Sequence, residues 1–451
     1  MDARIFRLLL RTLVARGLFF SAGLVCAGLI RGQVAPPTQS IQPGAIVIDL
    51  TQAISRARQY GGQLQGANLA LAQATEDRVQ AKAATKPQIS ALSQYIYTEG
   101  NGTPSGVFVS NDGVHVYNDQ GLVHEDVMPL IRRGVQQRAE AAEAVARAKV
   151  DVAARGLNAT VIQDFYAIAD AMRKLDNATL SVTEARQFVD ITQKQESGGE
   201  VAHADVVKAQ LQLQQRQIDL NEAQLTVAKA KIVLAVLIFP DIQIDYSIKD
   251  DLDQVDPLPA LPEARGQATA TNPDVKAANA AVNEAGYDVS VARYGYLPTI
   301  GLDFFYGLNS NVIALHNHDG DQNIGAAAMV TVNIPVWNWG ATKSKVKQAE
   351  LRQDQARLDL SIAQRTLQAN LATAHTEADG ALAQVSLLRQ GVTYATDSLR
   401  LTVLRYQAGE ATAFEVSDAQ SALKQARDAY DDGLARYRVA LANLRTLMGT
   451  L

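Results

Sequence analysis

Thirteen prolines, two tryptophans and one cysteine in 451 residues leave this chain few of the usual means of cross-linking and bending. With Cys26 alone, no intrachain disulfide and no cysteine-held metal site is available. Catalytic signatures are missing as well. The sequence has no glycine-lysine phosphate loop, no dinucleotide fingerprint, and no serine, cysteine or histidine constellation. Its paired acids are scattered along helix faces, where they are usually solvated. The chain therefore reads as a non-enzyme, with no cofactor and no metal expected. Beyond the first thirty residues no window offers 18 apolar residues, which excludes a transmembrane helix. Any entry into a membrane must be made by strands.

The opening reads as a secretory signal over residues 1–30. Arg4, Arg7, Arg11 and Arg16 form a basic start, and Gly17 to Ile30 is uncharged and mostly apolar. A run of about 14 residues is too short to span a bilayer as an anchor. Cleavage after Ala27, with Val25 and Ala27 at the small-residue positions, would remove the only thiol. It would also remove a net +3, taking the formal charge from −5 to −8. So acidic a protein is a poor partner for nucleic acid.

Most of the remaining chain is written twice. Gly199, Glu200, Val206, Ala209 and Gln210 recur as Gly409, Glu410, Val416, Ala419 and Gln420, an offset of 210. Upstream, Leu50, Ala53, Ala57, Asn68, Ala74 and Pro87 recur as Leu261, Ala264, Ala268, Asn279, Ala285 and Pro298, an offset of 211. One structural unit is used twice. The organisation expected is a lead over 31–49, a first repeat over 50–240, a linker over 241–260 and a second repeat over 261–451.

Within each repeat the pattern runs helix, strands, long helix, turn, helix. An alanine-rich helix is expected over 50–86 and another over 262–294, stopped by Pro87 and Pro298. After Pro87, Tyr95, Tyr97, Val107, Val109, Val114 and Val116 surround Asn111-Asp112-Gly113, a hairpin signal. After Pro298, Ile300, Leu302, Phe304 and Tyr306 alternate with polar or small residues, as do Ile324, Ala326, Val330 and Val332. Pro129 and Pro335 close these β sections and helices of about 65–70 residues follow, each roughly 100 Å long at 1.5 Å per residue.

The returning helices carry apolar seams. Positions 416, 419, 423, 426, 430, 433, 437, 440, 444 and 447 keep a 3-4 spacing without a charge, and large residues alternate with small ones. The first-repeat seam over 206–237 is broken only by Arg216. That helix has a second seam, Leu211, Ile218, Leu225 and Ile232, about 140° away. A helix gripped on two sides at that angle suits a closed wall of about twelve helices. Four strands per chain cannot close a barrel in lipid, whereas three copies supply twelve strands and twelve helical columns.

The order of these parts resembles the TolC family of outer-membrane efflux channels. The resemblance covers nearly all of 50–449 and rests on three motifs besides the duplication. They are Pro335-Val336-Trp337-Asn338-Trp339-Gly340, Tyr406-Gln407-Ala408-Gly409 leading to Glu415-Val416, and Leu444-Arg445-Thr446-Leu447-Met448-Gly449. It implies a mostly α fold with a membrane β-barrel portion: a long coiled-coil α-barrel plus four barrel strands per protomer, closing as a trimeric twelve-stranded barrel. It further implies a place in the outer membrane of a Gram-negative bacterium with a long periplasmic extension. Its partners would be a periplasmic adaptor (membrane fusion) protein and an inner-membrane transporter, in an efflux or type I secretion system. The alternative from another class is a periplasmic coiled-coil adaptor or structural stalk.

Carried over residue by residue, the resemblance places a channel constriction at Asp205, Tyr406, Glu415 and Asp418. It places adaptor-contact tips at Gly199, Glu200, Gly409 and Glu410, and a membrane girdle at Trp337 and Trp339. Each has a plainer reading. Thr412-Ala413-Phe414-Glu415 is a capping-box pattern, and Asp205 would also favour a helix start. The basic partner expected for Tyr406 shortly after the glycine is replaced by Ala411. His316-Asn317-His318-Asp319-Gly320-Asp321 has metal-ligand residue types but falls between strands, where a polar external loop is expected.

Overall fold

The structure is a computed structural model, described here over residues 46–98, 114–254, 256–316 and 320–450. The secretory signal, Cys26 and the Asn111-Asp112-Gly113 turn lie outside the described residues. The elements in chain order are β1 (Ile46–Ile48), α1 (Leu50–Tyr60), α2 (Gly62–Ala83), β2 (Gln88–Thr98), β3 (Val114–Asp126), α3 (Pro129–Ser197), α4 (His203–Ile238) and β4 (Tyr246–Ile248). There follow α5 (Leu261–Thr271), α6 (Pro273–Tyr294), β5 (Thr299–Ser310), β6 (Ile324–Asn333), α7 (Ala341–Gln407) and α8 (Ala413–Met448). The order helix, helix, strand, strand, long helix, helix thus occurs twice.

Four columns of helix run side by side. α3, of 69 residues, takes α2 against its first part and α4 against its last, while α6 and α8 pack on its other side and in turn carry the 67-residue α7. α2 and α4 form one outer column, α7 the other. The seam of α8 is turned inward: none of its ten positions is exposed, and Val416, Leu423, Tyr437 and Leu444 are fully covered. The first-repeat seam is likewise covered, and Arg216 is no flaw in it. Its guanidinium is buried, pairs with Asp219 at 3.1 Å and donates to Ser421 Oγ on α8 at 2.7 Å.

Two helices expected to be continuous are broken at equivalent places. α1 and α2 part at Gly61, where a Cβ would lie 2.6 Å from the Ala57 carbonyl and 2.8 Å from Leu157 Cδ2 on α3. The close approach of α3 requires glycine there. α5 and α6 part at Asn272, whose side chain accepts from the amides of Asp274 and Val275, with Pro273 as the first helical residue. An asparagine cap followed by proline is a helix start.

The lead and the linker also differ from expectation. Ile46–Ile48 pairs in parallel with Tyr246–Ile248. Beside this two-stranded ribbon lies the largest core, including Phe165, Tyr166, Leu234, Leu252 and Tyr437. The linker is then strapped down by charge. Arg173 of α3 holds Asp250 at 2.6 Å and Asp253 at 2.8 Å, and Arg438 of α8 holds Asp251 and, at 3.3 Å, Asp256. The bond from Arg173 draws the Asp253 carboxyl below its usual range, and burial pushes the Tyr166 phenol up to about 12.

The four long strands form an antiparallel sheet in the order β2-β3-β5-β6. Register separates its faces. Ile89, Tyr95, Val123, Leu302, Phe304, Tyr306, Val330 and Val332 share one side. On the other stand Gln88, Gln94, Asn118, Gln120, His124 and Asp303, with His124 Nδ1 2.6 Å from Asp303 Oδ1. Gly307 lets β5 close on β3, since a Cβ there would meet the Asp119 carbonyl at 2.2 Å. The first side holds most of the large apolar residues, with Asp119 and Glu125 also on it, and β2 and β6 each keep an unpaired edge within the chain.

Arg438→Met should strand the Asp251 carboxylate beside a buried phenol, Asp256 keeping Arg445 at 3.1 Å, and cost about 2 kcal/mol. Arg445→Met, whose ion pair with Asp256 is more exposed, should cost less than about 1 kcal/mol. Thermal melts of both variants in detergent would check the difference.

Candidate functional site

The two helix turns at 198–202 and 408–412 are built alike. α3 ends at Ser197 and α7 at Gln407, and each is followed by a glycine in the left-handed region, Gly199 at φ 77° and Gly409 at φ 75°. The amide of Glu200 then donates to the Gln195 carbonyl at 2.8 Å, and that of Glu410 to the Arg405 carbonyl at 2.8 Å. These bonds satisfy carbonyls that the helix ends leave open. Gln195 Nε2 bridges the turns by donating to the carbonyls of Tyr406, at 3.4 Å, and Gln407, at 3.5 Å.

Tyr406 lies inside the protomer. It is 2 % exposed, stands edge-on to Phe188 with ring centroids 5.2 Å apart, and donates to Thr192 Oγ1 at 3.4 Å. Burial, with the Asp205 carboxylate as a smaller cause, raises its phenol above the ordinary value. Around it Val189, Ala209, Ala413 and Val416 complete a small apolar core that joins α3 and α4 to α7 and α8. The tyrosine packs the two hairpins together.

The carboxylates differ in surroundings. Glu415 completes the capping box, accepting from the Thr412 amide at 3.1 Å, and Arg405 lies 3.5 Å from its other oxygen. Arg405 also donates to the Glu410 carbonyl at 3.0 Å. Arg405 thus engages Glu415 and Glu410 and not the Tyr406 hydroxyl, whose partner is Thr192. Asp205 is half-buried in the first turn of α4, 3.8 Å from Lys208. Asp418 is exposed, and its carboxylate makes no hydrogen bond or ion pair among the described residues. Phe414, 70 % exposed, adds an apolar side chain that sequence reading passed over.

At the other end, Trp337 and Trp339 follow β6 and stack edge-on at 5.8 Å, exposed by 75 % and 89 %. Trp339 has φ 54°, a conformation rare for a bulky residue, and Gly340 follows at φ 83°. Together they turn the chain sharply into α7. In the external segment, residues 317–319 lie outside the described ones, and His316 bridges to Gln322.

Comparison with known proteins now bears on the whole arrangement. Residues 264–450 match the family model described as outer membrane efflux protein. The outer membrane efflux protein BepC of Brucella suis is 26 % identical over 394 residues, covering 83 % of this chain and 79 % of that protein. Over much of its length the chain is thus similar to outer membrane efflux proteins. Its fold is that of the CmeC outer membrane channel of Campylobacter jejuni, with a TM-score of 0.79 and 15 % identity over 92 % of this chain and 90 % of that one. It is also that of VceC from Vibrio cholerae, with a TM-score of 0.78 and 18 % identity over 89 % and 96 %. A four-stranded sheet joined to long paired helices is thus the plan this chain shares with those outer membrane channels.

Tyr406→Phe should leave the turn region intact, because the ring stays against Phe188. Tyr406→Ala should open a cavity costing about 3–5 kcal/mol. Proteolysis near residues 198–202 and 408–412 would report the difference.

Proposed function

We propose that the channel works as a passive homotrimer whose lower end is a cation-favouring entrance and whose helix turns meet a periplasmic adaptor, with an inner-membrane transporter supplying the energy. The observation that carries the trimer is a pair of uncovered apolar rows on the two outer columns. On α4, Leu211, Ile218, Leu225 and Ile232 are each more than half exposed, and on α7 so are Leu387, Tyr394 and Leu401.

The rows are complementary. α4 leaves one glycine turn and α7 arrives at the other. Counted from Gly199, the α4 row stands at 12, 19, 26 and 33 residues; counted back from Gly409, the α7 row stands at 8, 15 and 22. Leu211 and Ile218 each fall between two residues of the α7 row, and Tyr394 and Leu387 each between two of the α4 row, as antiparallel knobs and holes require. The unpaired edges of β2 and β6 call for the same neighbours, since open edges in lipid cost several kcal/mol per unsatisfied group. An adaptor or stalk offers no use for a four-stranded sheet with one apolar face.

At the entrance, Asp418 and Asp205 repeated three times about a narrow axis would attract cations and repel anions. Glu415 contributes less, its charge being offset by Arg405. Gly199, Glu200, Gly409 and Glu410 form the surface offered to the adaptor. Trp337 and Trp339 suit an aromatic girdle. The sequence arrangement favours a signal over 1–30 and two repeats at 50–240 and 261–451, joined by 241–260. The chain acts as a conduit and not as an enzyme.

Ile218→Asp combined with Tyr394→Asp should abolish the trimer while leaving the helical content unchanged, as read by native mass spectrometry and circular dichroism. Normal trimer yield would remove the seam. Asp205→Ala with Asp418→Ala should shift the reversal potential in planar bilayers toward lower cation preference, and an unchanged potential would refute the acidic entrance.

A further inference from the structure

The joint between strands and helices carries a charge pattern that conduction does not use. Four stretches of chain meet there: 81–87 at the end of α2, 127–138 at the start of α3, 289–298 at the end of α6 and 334–348 at the start of α7. Together they hold nine lysines and arginines and no aspartate or glutamate, in a chain whose formal net charge is −5. Asp126, Asp288 and Glu350 border these stretches, so the level carries an excess of positive charge and not one sign alone.

Acids from outside the belt meet only part of it. Arg132 pairs with Glu125 at 3.1 Å, Arg138 with Asp288, and Arg293 and Lys347 with Glu350 at 3.2 and 3.8 Å. Lys82, Lys86, Arg133, Lys343 and Lys345 are exposed and have no ion pair among the described residues. α3 and α7 both begin here without an acid in the first turn and without a side-chain cap, so the positive ends of their dipoles add to the same field.

The belt also has a definite height. It lies directly beyond the sheet, level with the exposed Tyr296, Val336, Trp337 and Trp339. Apolar strands, then aromatics, then cations is the sequence of environments from acyl chain to headgroup. Because α2 and α7 are the outer columns, Lys82 and Lys86 of one subunit approach Lys343 and Lys345 of the next when the trimer closes. Like charges would then converge at each boundary unless an anion stands between them.

We propose that this belt binds the phosphate headgroups of anionic phospholipids in the periplasmic leaflet, held at the subunit boundaries by Lys82 and Lys86 of one chain and Lys343 and Lys345 of its neighbour. The site rests on the trimeric outer-membrane arrangement proposed above. The headgroup phosphate accepts from the ammonium groups, its acyl chains lie along the apolar strand face, and the tryptophans sit at the glycerol level. Each lysine should change lipid affinity about five-fold.

The test uses the full-length trimer purified in detergent and offered phosphatidylglycerol or phosphatidylcholine of identical chain length, with bound lipids counted by native mass spectrometry. The wild type should retain phosphatidylglycerol at least about ten-fold better, with retention falling as salt rises. The Lys82→Gln, Lys86→Gln, Lys343→Gln, Lys345→Gln variant should retain the two lipids equally while remaining a conducting trimer. Equal retention by the wild type, or an undiminished preference in the variant, overturns the proposal. So does full displacement of phosphatidylglycerol by excess inorganic phosphate, which would indicate a free-anion site. If the fourfold variant fails to assemble, Lys82→Gln with Lys86→Gln alone should still lower phosphatidylglycerol affinity by about 25-fold, roughly five-fold for each lysine. Planar-bilayer conductance of the same preparations reports on the channel separately from its lipid.

Discussion

A sheet with an apolar face and two open edges cannot rest in lipid. Every backbone amide along β2 and β6 that finds no partner would cost several kcal/mol in the hydrocarbon. The sheet cannot close on itself, because four strands are too few to wrap. The helical part obeys the same limitation. Its core lies at the level of the β1–β4 ribbon and between paired helices, whereas the outer columns leave leucine and isoleucine rows uncovered. Membrane end and periplasmic end are thus incomplete in the same sense, and the proposed trimer would answer both.

Within the subunit, polar contacts place what apolar contacts stabilise. The helix seams are mostly alanine, valine and leucine, which would tolerate sliding by a heptad. Arg216 with Ser421, Asn177 with Asp431 at 2.8 Å, and Arg427 with Glu184 at 3.1 Å each fix the height of one helix against another. The acidic linker does the same between the repeats, since Arg173 and Arg438 reach it from different helices. Such charge pairs add modestly to stability but penalise wrong registers.

The layout of the chain was legible because its periodicities are strong and its stops are unambiguous. Pro87, Pro129, Pro298 and Pro335 do stand at the four changes between helix and strand, and period-two alternation located β5 and β6. What escaped was set by contacts between distant residues. Gly61 looks like any glycine in an alanine-rich helix until Leu157 is found against it. Asn272-Pro273, by contrast, is a local signal that was readable. Ile46–Ile48 and Tyr246–Ile248 are too short for a periodicity and become strands only through each other. For Tyr406, its position in a motif was visible, but the neighbours that bury it, Phe188 and Thr192, lie more than 200 residues away. Arg405 escaped notice because its partners, Glu415 and the Glu410 carbonyl, come to it only when the turn is formed.

The interruptions at Gly61 and Asn272 have a mechanical result. They fall at corresponding points of the duplicated plan, and each lies opposite a helix that runs on without a break. Bending stiffness between the lipid collar and the distal mouth therefore resides in α3 and α7, while the other two columns are jointed halfway. A load applied at the helix turns is therefore carried to the strands by these two unbroken struts, and the jointed columns take little of it.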